Sequence, residues 1–389
     1  MSPQNSIVYL DHAATSWPKP KCVQEAMWKA MEEEGANPGR GGHVMAVQAG
    51  KRLMRARMAI AELFHIQNPL DIAFTLNTTM ALNMAIMGVL NAGDHVIATS
   101  VEHNSVRRPL GWLKKDRGIS VTYIDTDIHG NLDVKQVEAA ITNKTKLLIC
   151  NHSSNLLGSI LPVKELGMLA KHHGLLFLVD AAQSAGVVPI DVQSMGIDML
   201  AFPGHKGLLG PTGTGGLFIH PELDIKPLLY GGTGSHSEEV EQPETRPDRY
   251  EAGTPNTIGI AGLEAGIRFI MNQTVNKLYD HEWQLTQQLM KDLMAIPRVR
   301  VLGPKLGEAR TGIVAFQVHS LDSSELAFRL DREFGIAVRA GYHCTPLAHA
   351  TAGTIGEGAV RASVGWDTTL EDISKLAAAV KHCSESSQK

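Results

Sequence analysis

The chain has 389 residues, with 36 Lys and Arg against 40 Asp and Glu, and a formal net charge of −4. Its 43% hydrophobic and 20% charged residues are typical of an ordinary globular protein, long enough for two or three domains, and disorder is not expected. The slightly acidic balance gives no reason to expect a nucleic acid or an anionic membrane as partner.

Neither the apolar runs nor the cysteines indicate export or membrane insertion. The longest uncharged run, 72–93, contains six Thr and Asn residues, and this polarity argues against a transmembrane span. The first ten residues lack the basic and apolar regions of a signal peptide. The four cysteines form no C-x-x-C pair, so we expect reduced thiols in the cytoplasm: Cys22, Cys150, Cys344 and Cys383.

In chain order, the first part of the sequence alternates between helix and strand patterns. One helical face runs over 23–31, and further helices are predicted at 78–89, 106–115, 134–141 and 163–172. The predicted strands are short apolar runs at 71–75, 95–99, 121–124, 146–150, 175–179 and 198–202. Continuous apolar strands that alternate with helices predict a parallel sheet covered on both faces.

The last third of the chain has an α+β pattern. A long helical pattern runs from 258 to about 294, and the later elements are strands at 298–302 and 313–318, a helix at 323–334, a strand at 336–339 and a helix at 370–382. We therefore predict a large domain over 16–258 and a small C-terminal domain over 259–389. The N-terminal segment 1–15 is expected to pack with the small domain.

Polar residues stand at the carboxyl ends of four predicted strands, where open α/β sheets bind their ligands. They are a hydroxyl pair, a histidine, an acid followed by an amide, and a lysine in a glycine-flanked loop: Thr78 and Thr79, His103, Asp180 and Gln183, and Lys206 after His205. Together they indicate one site for a flat, phosphorylated, cationic ring. Pyridoxal phosphate is such a ligand, because it needs a lysine amine, a carboxylate on its ring nitrogen and a phosphate cradle.

Each of these residues also has a plain structural explanation. A lysine in a glycine loop is ordinarily a solvated surface charge. Asp180 and the Thr78–Thr79 pair could simply cap helices, and His103 could be a polar loop residue. Their combination favours the cofactor site.

Seven short motifs follow one another along nearly the whole chain. They are Tyr9-Leu-Asp-His-Ala-Ala-Thr15, Asn37-Pro-Gly-Arg-Gly41, Leu178-Val-Asp-Ala-Ala-Gln183, Gly204-His-Lys206, Glu251-Ala-Gly-Thr-Pro-Asn256, Arg339-Ala-Gly-Tyr-His-Cys344 and Arg361-Ala-Ser363. In this order, the sequence resembles cysteine desulfurases of the SufS-like type, within the class V aminotransferase-fold enzymes. The resemblance implies the α/β architecture of pyridoxal-phosphate transferases of fold type I, with a seven-stranded, mainly parallel sheet in the large domain. It also implies a homodimer that converts L-cysteine to L-alanine.

The resemblance implies roles around the cofactor ring. Lys206 would bind pyridoxal phosphate covalently and later move protons. Asp180 would pair with the ring nitrogen, Gln183 would bond the ring hydroxyl, and His103 would stack on the ring.

The resemblance also implies the contacts of the two anionic groups. The phosphate would be held by hydroxyl and imidazole groups: Thr78, Thr79, His205 and, reaching the site of a neighbouring subunit, Thr254. The substrate carboxylate would be held by Asn155 and Arg361, with Arg339 nearby.

Cys344 would be the nucleophile, and its attack on the sulfur of bound cysteine would leave a persulfide for a sulfur-acceptor protein. We expect His343 and Arg339 to lower the pKa of this thiol. His343, Cys344 and His349 could instead bind a metal ion, but their spacing matches no usual zinc pattern and no metal is expected.

Three departures from the family pattern bear on substrate and acceptor. Pro203 stands where many relatives carry Ser, Tyr342 replaces the first His of the usual Gly-His-His-Cys run, and Thr345-Pro-Leu follows the cysteine. Two alternatives of the same fold stay open: a selenocysteine lyase in which Cys344 is dispensable, and an aminotransferase or epimerase. A non-catalytic scaffold is disfavoured, because Lys206, Asp180 and Cys344 are all present.

Overall fold

The structure, a computed structural model, describes residues 7–386 apart from 34, 39–41, 236–237 and 320. The motif at 37–41 therefore lies largely outside the described residues, and so does the start of the predicted segment 1–15. No helix of the described part of the chain is long and apolar enough to cross a membrane.

The helices and strands within these limits have the following bounds. The helices are α1 Lys21–Glu33, α2 Val44–Phe64, α3 Thr78–Val89, α4 Asn104–Asp116, α5 Val134–Ala139, α6 Val163–His172, α7 Thr257–Gln273, α8 Val275–Met294, α9 Ser323–Phe334, α10 Pro346–Ala352 and α11 Leu370–Ser386. The strands are β1 Val8–Tyr9, β2 Ile72–Thr75, β3 His95–Thr99, β4 Ser120–Ile124, β5 Thr145–Asn151, β6 Leu176–Asp180, β7 Met199–Pro203, β8 Gly215–Ile219, β9 Val299–Val301, β10 Ile313–Val318, β11 Ile336–Ala337, β12 Arg339–Gly341 and β13 Ala359–Ser363.

Seven of the described strands form the large sheet, in the order β2-β8-β7-β6-β5-β3-β4. Only β8 within this sheet runs antiparallel to its neighbours, as its pairings with β2 and β7 show. The inner strands are buried along almost their whole length, because helices cover both faces. The predicted seven-stranded, mainly parallel sheet is confirmed.

The small sheet has the order β12-β13-β10-β9, and the N-terminal β1 pairs with β11 beside it. Val8 and Leu10 are buried in the same core as Phe316 and Val360 of this sheet. The described part of the N-terminal segment thus packs with the C-terminal elements.

Two elements that were predicted to be continuous are each divided into two in the structure. The helix expected over 258–294 is two helices, because Thr274 has φ +69°, ends α7 and caps α8 through a bond from the N–H of Lys277. The strand expected over 336–339 is also two strands, and β11 pairs with β1 whereas β12 pairs with β13. Helix α7 packs on α1 and α2, and Leu263 and Ile267 belong to the core of the large sheet. We therefore propose that the domain boundary lies near Thr274, later than 258.

Candidate active site

A cavity opens at the carboxyl ends of strands β2, β3, β5, β6 and β7. We call it the Lys206 cavity. It brings together eight of the twelve residues that sequence analysis assigned to the site: Thr78, Thr79, His103, Asn155, Asp180, Gln183, His205 and Lys206. Four assigned residues do not line it: Thr254, Arg339, Cys344 and Arg361.

Lys206 lies in the tight loop that follows β7. The loop packs closely on the segment after β6, because a Cβ atom on Gly207 would lie only 2.5 Å from the carbonyl oxygen of Ala185. Burial, and secondarily the Arg361 guanidinium, lower the pKa of the Lys206 amine to about 8. A sizeable fraction of this amine is therefore neutral, and so nucleophilic, at mildly alkaline pH.

Asp180 ends β6 on the floor of the cavity. One of its carboxylate oxygens accepts a hydrogen bond of 2.8 Å from the N–H of Ala182. Burial raises the pKa of this carboxyl to about 6, whereas the bond from Ala182 and the charge of Lys206 oppose the rise. Asp180 is therefore mainly ionised at neutral pH, next to the amine of Lys206.

The N-terminus of α3 forms one wall of the cavity. Asn77 caps this helix through a 3.0 Å bond from the N–H of Met80, so Thr78 and Thr79 occupy the first turn. The first N–H groups of a helix lack intrahelical partners and attract anions. The hydroxyl of Thr79 also lies 2.8 Å from that of Ser105, on the neighbouring helix α4. This wall is suited to a phosphate group.

Two histidines of the cavity are held by hydroxyl groups. His103 caps α4, accepts a bond from the N–H of Ser105 and lies 2.8 Å from its hydroxyl. His205 lies 3.1 Å from the hydroxyl of Thr15. Burial, followed by the charge of Lys206, lowers the pKa of each imidazole to about 4. Both rings are therefore neutral at pH 7, as a platform for a cationic ring requires.

Arg361 is not among the residues that line the cavity. It is only 2% exposed, donates to the carbonyl of Asn155 at 2.8 Å and pairs with Asp11 at 3.1 Å. Arg339 is half exposed, 3.8 Å from the same Asp11 carboxylate. The predicted carboxylate-binding arginines are thus neighbours that share one acid.

Cys344 lies in the loop 341–345, which we call the nucleophile loop. The cysteine is exposed, and its carbonyl accepts a 2.8 Å bond from the N–H of Asn104, next to His103. His343 is buried, and burial lowers the pKa of its imidazole to about 3. The ring of His343 is therefore neutral at pH 7 and brings no positive charge to the neighbouring cysteine.

Thr254 lies in a separate groove of the same chain. This groove, which we call the Thr254 groove, is lined by apolar residues that include Met54, Leu76 and Leu229. The segment before Thr254 is fixed, because Glu251 binds the buried Arg57 and accepts a 2.6 Å bond from the N–H of Phe74.

Sequence reasoning missed several polar residues of the cavity. Ser105, Asn151 and Ser153 line it, and the position of Asn151 at the end of β5 was the available signal. Glu102 is fully buried and accepts bonds from the hydroxyl of Thr99 (2.6 Å) and the N–H of Asn151 (2.8 Å).

Burial, with a smaller contribution from Asp180, raises the pKa of Glu102 to about 7. This acid ties the end of β3 to the end of β5. It thereby fixes the segment that carries His103.

The other thiols differ from Cys344 in their surroundings. Cys150 and Cys383 are buried, and burial raises the pKa of Cys22, Cys150 and Cys383 alike. Such thiols are poor nucleophiles. Within the described residues, no three His, Cys, Asp or Glu side chains come together in a way that could hold a metal ion.

The donor set of the Lys206 cavity fits pyridoxal phosphate. It combines a buried amine of lowered pKa, a buried carboxylate, neutral imidazoles and a helix N-terminus with two hydroxyl groups. The amide oxygens of Asn151 and Asn155 are buried without a hydrogen-bond partner among the described residues, which leaves acceptors free at the same wall. Each polar part of the cofactor thus finds a matching group.

Comparison with known proteins supports the same family. The model of the family Aminotransferase class-V matches residues 8–376. A probable cysteine desulfurase of Methanothermobacter thermautotrophicus is 36% identical over 381 residues, which covers 95% of this chain and 92% of that relative.

Two solved structures are similar over nearly the whole chain. The apo cysteine desulfurase of Thermococcus onnurineus NA1 has a TM-score of 0.92 at 35% identity, covering 98% of this chain and 96% of that one. The cysteine desulfurase CsdA of Escherichia coli, in an S-sulfonic acid form, has a TM-score of 0.88 at 30% identity with the same coverage. The predicted fold type I architecture is confirmed. The chain therefore belongs to the class-V aminotransferase family and, within it, to the cysteine desulfurases.

Proposed function

We propose that this protein is a pyridoxal-phosphate-dependent cysteine desulfurase that converts L-cysteine to L-alanine and accepts the sulfur on Cys344. The proposal rests on the way in which four groups are arranged. Lys206 and Asp180 share one cavity with the N-terminus of α3, and the loop of an exposed cysteine is bonded to the rim of that cavity. An aminotransferase or epimerase has no use for such a cysteine.

The cofactor, when bound, withdraws electrons from the Cα atom of the substrate and so weakens the bond between Cβ and sulfur. Lys206 would hold it covalently, and its amine of lowered pKa suits both attachment and proton transfer. Asp180 would keep the ring nitrogen protonated, and Gln183 and His103 would orient the ring. Thr78, Thr79 and His205 would hold the phosphate.

Asn155 and Arg361 would bind the substrate carboxylate and so fix the substrate relative to Lys206, with Arg339 at the entrance. Arg361 is held in place by Asp11 and by the carbonyl of Asn155, so its orientation is set before substrate arrives.

The sulfur transfer would take place at Cys344. Its thiolate attacks the substrate sulfur, a sulfur–sulfur bond forms and the Cβ–sulfur bond breaks. The electron pair of the broken bond stays with the carbon fragment, which takes up a proton at Cβ and leaves as alanine. Cys344 is left as a persulfide, and its exposed position gives an acceptor protein access to it.

We also propose a homodimer, in which Thr254 reaches the phosphate of the other subunit. Thr254 is exposed and lies outside the Lys206 cavity of its own chain. The Thr254 groove exposes large apolar side chains, with Leu76 59% and Leu229 46% exposed, and such a surface favours association. The four free thiols agree with a reducing compartment, so the cytoplasm stays the predicted location.

The experiment is a product assay with two substrates and one variant. Wild type and Cys344→Ala are given L-cysteine or L-selenocysteine, and alanine is quantified. We expect wild type to form alanine from cysteine and Cys344→Ala to lose that activity. The selenocysteine lyase would be favoured instead if Cys344→Ala kept full activity on selenocysteine and wild type formed little alanine from cysteine.

A further inference from the structure

The nucleophile loop has an unusual backbone. Within four residues, Gly341, His343 and Cys344 all have positive φ values, of +101°, +49° and +58°. Residues that carry a Cβ rarely adopt this left-handed region, and two in succession persist only where the surroundings determine them. The loop therefore depends on its contacts for its shape.

Three of these contacts come from the large domain. The N–H of Asn104 donates a 2.8 Å bond to the carbonyl of Cys344. The side-chain amide of Asn155 donates a 2.6 Å bond to the carbonyl of His343. The hydroxyl of Thr345 binds the carbonyl of Glu102 at 3.1 Å. These contacts hold the tip of the loop at the rim of the Lys206 cavity.

A fourth contact closes the base of the loop. Gly341 and Ala359 are paired residues of β12 and β13, so the chain between them leaves the small sheet and returns to it. We call this segment the 342–358 excursion. The N–H of Gly356 donates a 2.6 Å bond to the hydroxyl of Tyr342, and this bond joins the two ends of the excursion just beyond the sheet.

The ring of Tyr342 adds to this closure. It packs on His349 at 5.0 Å between ring centres, and His349 stacks on His343 at 5.8 Å with nearly parallel rings. His349 is fully buried and its imidazole lies 2.7 Å from the hydroxyl of Thr354. The three rings pack against one another within the excursion, whereas the side chain of Cys344 is exposed.

We propose that Tyr342 is a positioning residue for Cys344: by bonding Gly356 and packing on His349 it holds the nucleophile loop in the one arrangement from which the thiol reaches the substrate. The proposal rests on the proposed function, since it takes Cys344 as the sulfur acceptor. It assigns a role to the residue at which this chain departs from the Gly-His-His-Cys pattern.

The test compares Tyr342→Phe, which removes only the hydroxyl, with Tyr342→Ala, which also removes the ring. Tyr123→Phe, which removes a hydroxyl on β4, is the matched control. Each holoenzyme is assayed for kcat and KM with L-cysteine, for alkylation of Cys344 by iodoacetamide, and for amide exchange at Gly356.

We expect Tyr342→Phe to lose protection of the Gly356 amide and to lower kcat about fivefold, the effect of one hydrogen bond, with KM and the alkylation rate unchanged. Tyr342→Ala should lower kcat further, and the control should match wild type. An unchanged kcat in Tyr342→Phe, or a fall matched by slower alkylation, would overturn the positioning role.

A variant in the Cys344→Ala background separates this proposal from the proposed function. If Cys344→Ala alone kept full activity, the proposed function would fail. If it lost activity while Tyr342→Phe resembled the control, only the role of Tyr342 would fail. Because Cys344→Ala alone is expected to release no alanine, we expect none from the double variant with Tyr342→Phe either.

Discussion

Glu282 on α8 provides a test of the interface between the two domains. Its side chain is 7% exposed and faces a second cavity, which is also lined by His12, Lys206 and Gly312. No hydrogen bond or ion pair to Glu282 is found among the described residues. Burial alone raises the pKa of its carboxyl from 4.5 to about 8.

The sign of the pH effect follows from this shift. Between pH 4.5 and 8 the folded state holds a proton on Glu282 that the unfolded state has released. Stability from this group is therefore present at acid pH and is lost as the pH rises. The two pKa values give a loss in the free energy of unfolding of a few kcal/mol between pH 5 and pH 8.

The perturbation is Glu282→Gln, which keeps the shape of the side chain and removes the titration. Urea unfolding is measured at pH 5 and pH 8 for both proteins, in the same cofactor state and at the same concentration. We expect the free energy of unfolding of wild type to fall by a few kcal/mol more than that of the variant between pH 5 and pH 8. Glu32→Gln, on the exposed face of α1, is the control and should follow wild type. A difference below about 1 kcal/mol would refute the reasoning, because it would mean that the carboxylate is ionised in the folded state.

Four further predictions concern the Lys206 cavity and the dimer. Lys206→Ala should bind pyridoxal phosphate only non-covalently and lose turnover, whereas borohydride treatment of wild type should attach the cofactor to Lys206; attachment to another lysine would contradict this. In the apoprotein, the rate of covalent attachment of pyridoxal phosphate should rise about tenfold per pH unit and level off near pH 8, because the neutral amine reacts and its pKa is about 8. A rate that still rises beyond pH 9 would show that the pKa of the amine is not lowered. Asp180→Asn should lower kcat about a hundredfold with little change in the unfolding midpoint, and a turnover equal to that of wild type would contradict this. Thr254→Ala should weaken cofactor binding in a dimer, and a fully active monomer found by light scattering would contradict that prediction.

Much of the large domain was predictable because its strands are apolar runs with polar residues at both ends. Strand β3 and helices α3 and α6 have the predicted bounds, and the structure brings the polar strand ends together in one cavity. The physical reason is that a buried parallel strand needs an unbroken apolar stretch, and its carboxyl end meets the N-termini of the following helices.

Helix α2 and the break at Thr274 could not be predicted in the same way. Helix α2 exposes Val44, Met54 and Met58, so its apolar residues do not keep to one face. In the proposed homodimer another subunit would cover this surface, and apolar residues on such a surface obscure the helical period. At Thr274 no Gly or Pro marks the break, and the helices on either side continue a similar pattern.

The electrostatics of the site also lay beyond the sequence. The sequence places His343 beside Cys344 but does not show that the imidazole is buried and neutral. It shows Asn155 as a residue after β5 but not its bond to the carbonyl of His343. Burial and through-space neighbours decide such properties, and neither follows from residue spacing.

The most direct test of the account is to locate the transferred sulfur. Wild-type holoenzyme is allowed a single turnover with L-cysteine, without an acceptor or reductant, and its peptides are analysed by mass spectrometry. We predict one added sulfur atom on the peptide that contains Cys344, alanine in equal amount, and neither product from Cys344→Ala. Added sulfur on Cys22, Cys150 or Cys383, or alanine release by the variant at the wild-type rate, would contradict the account.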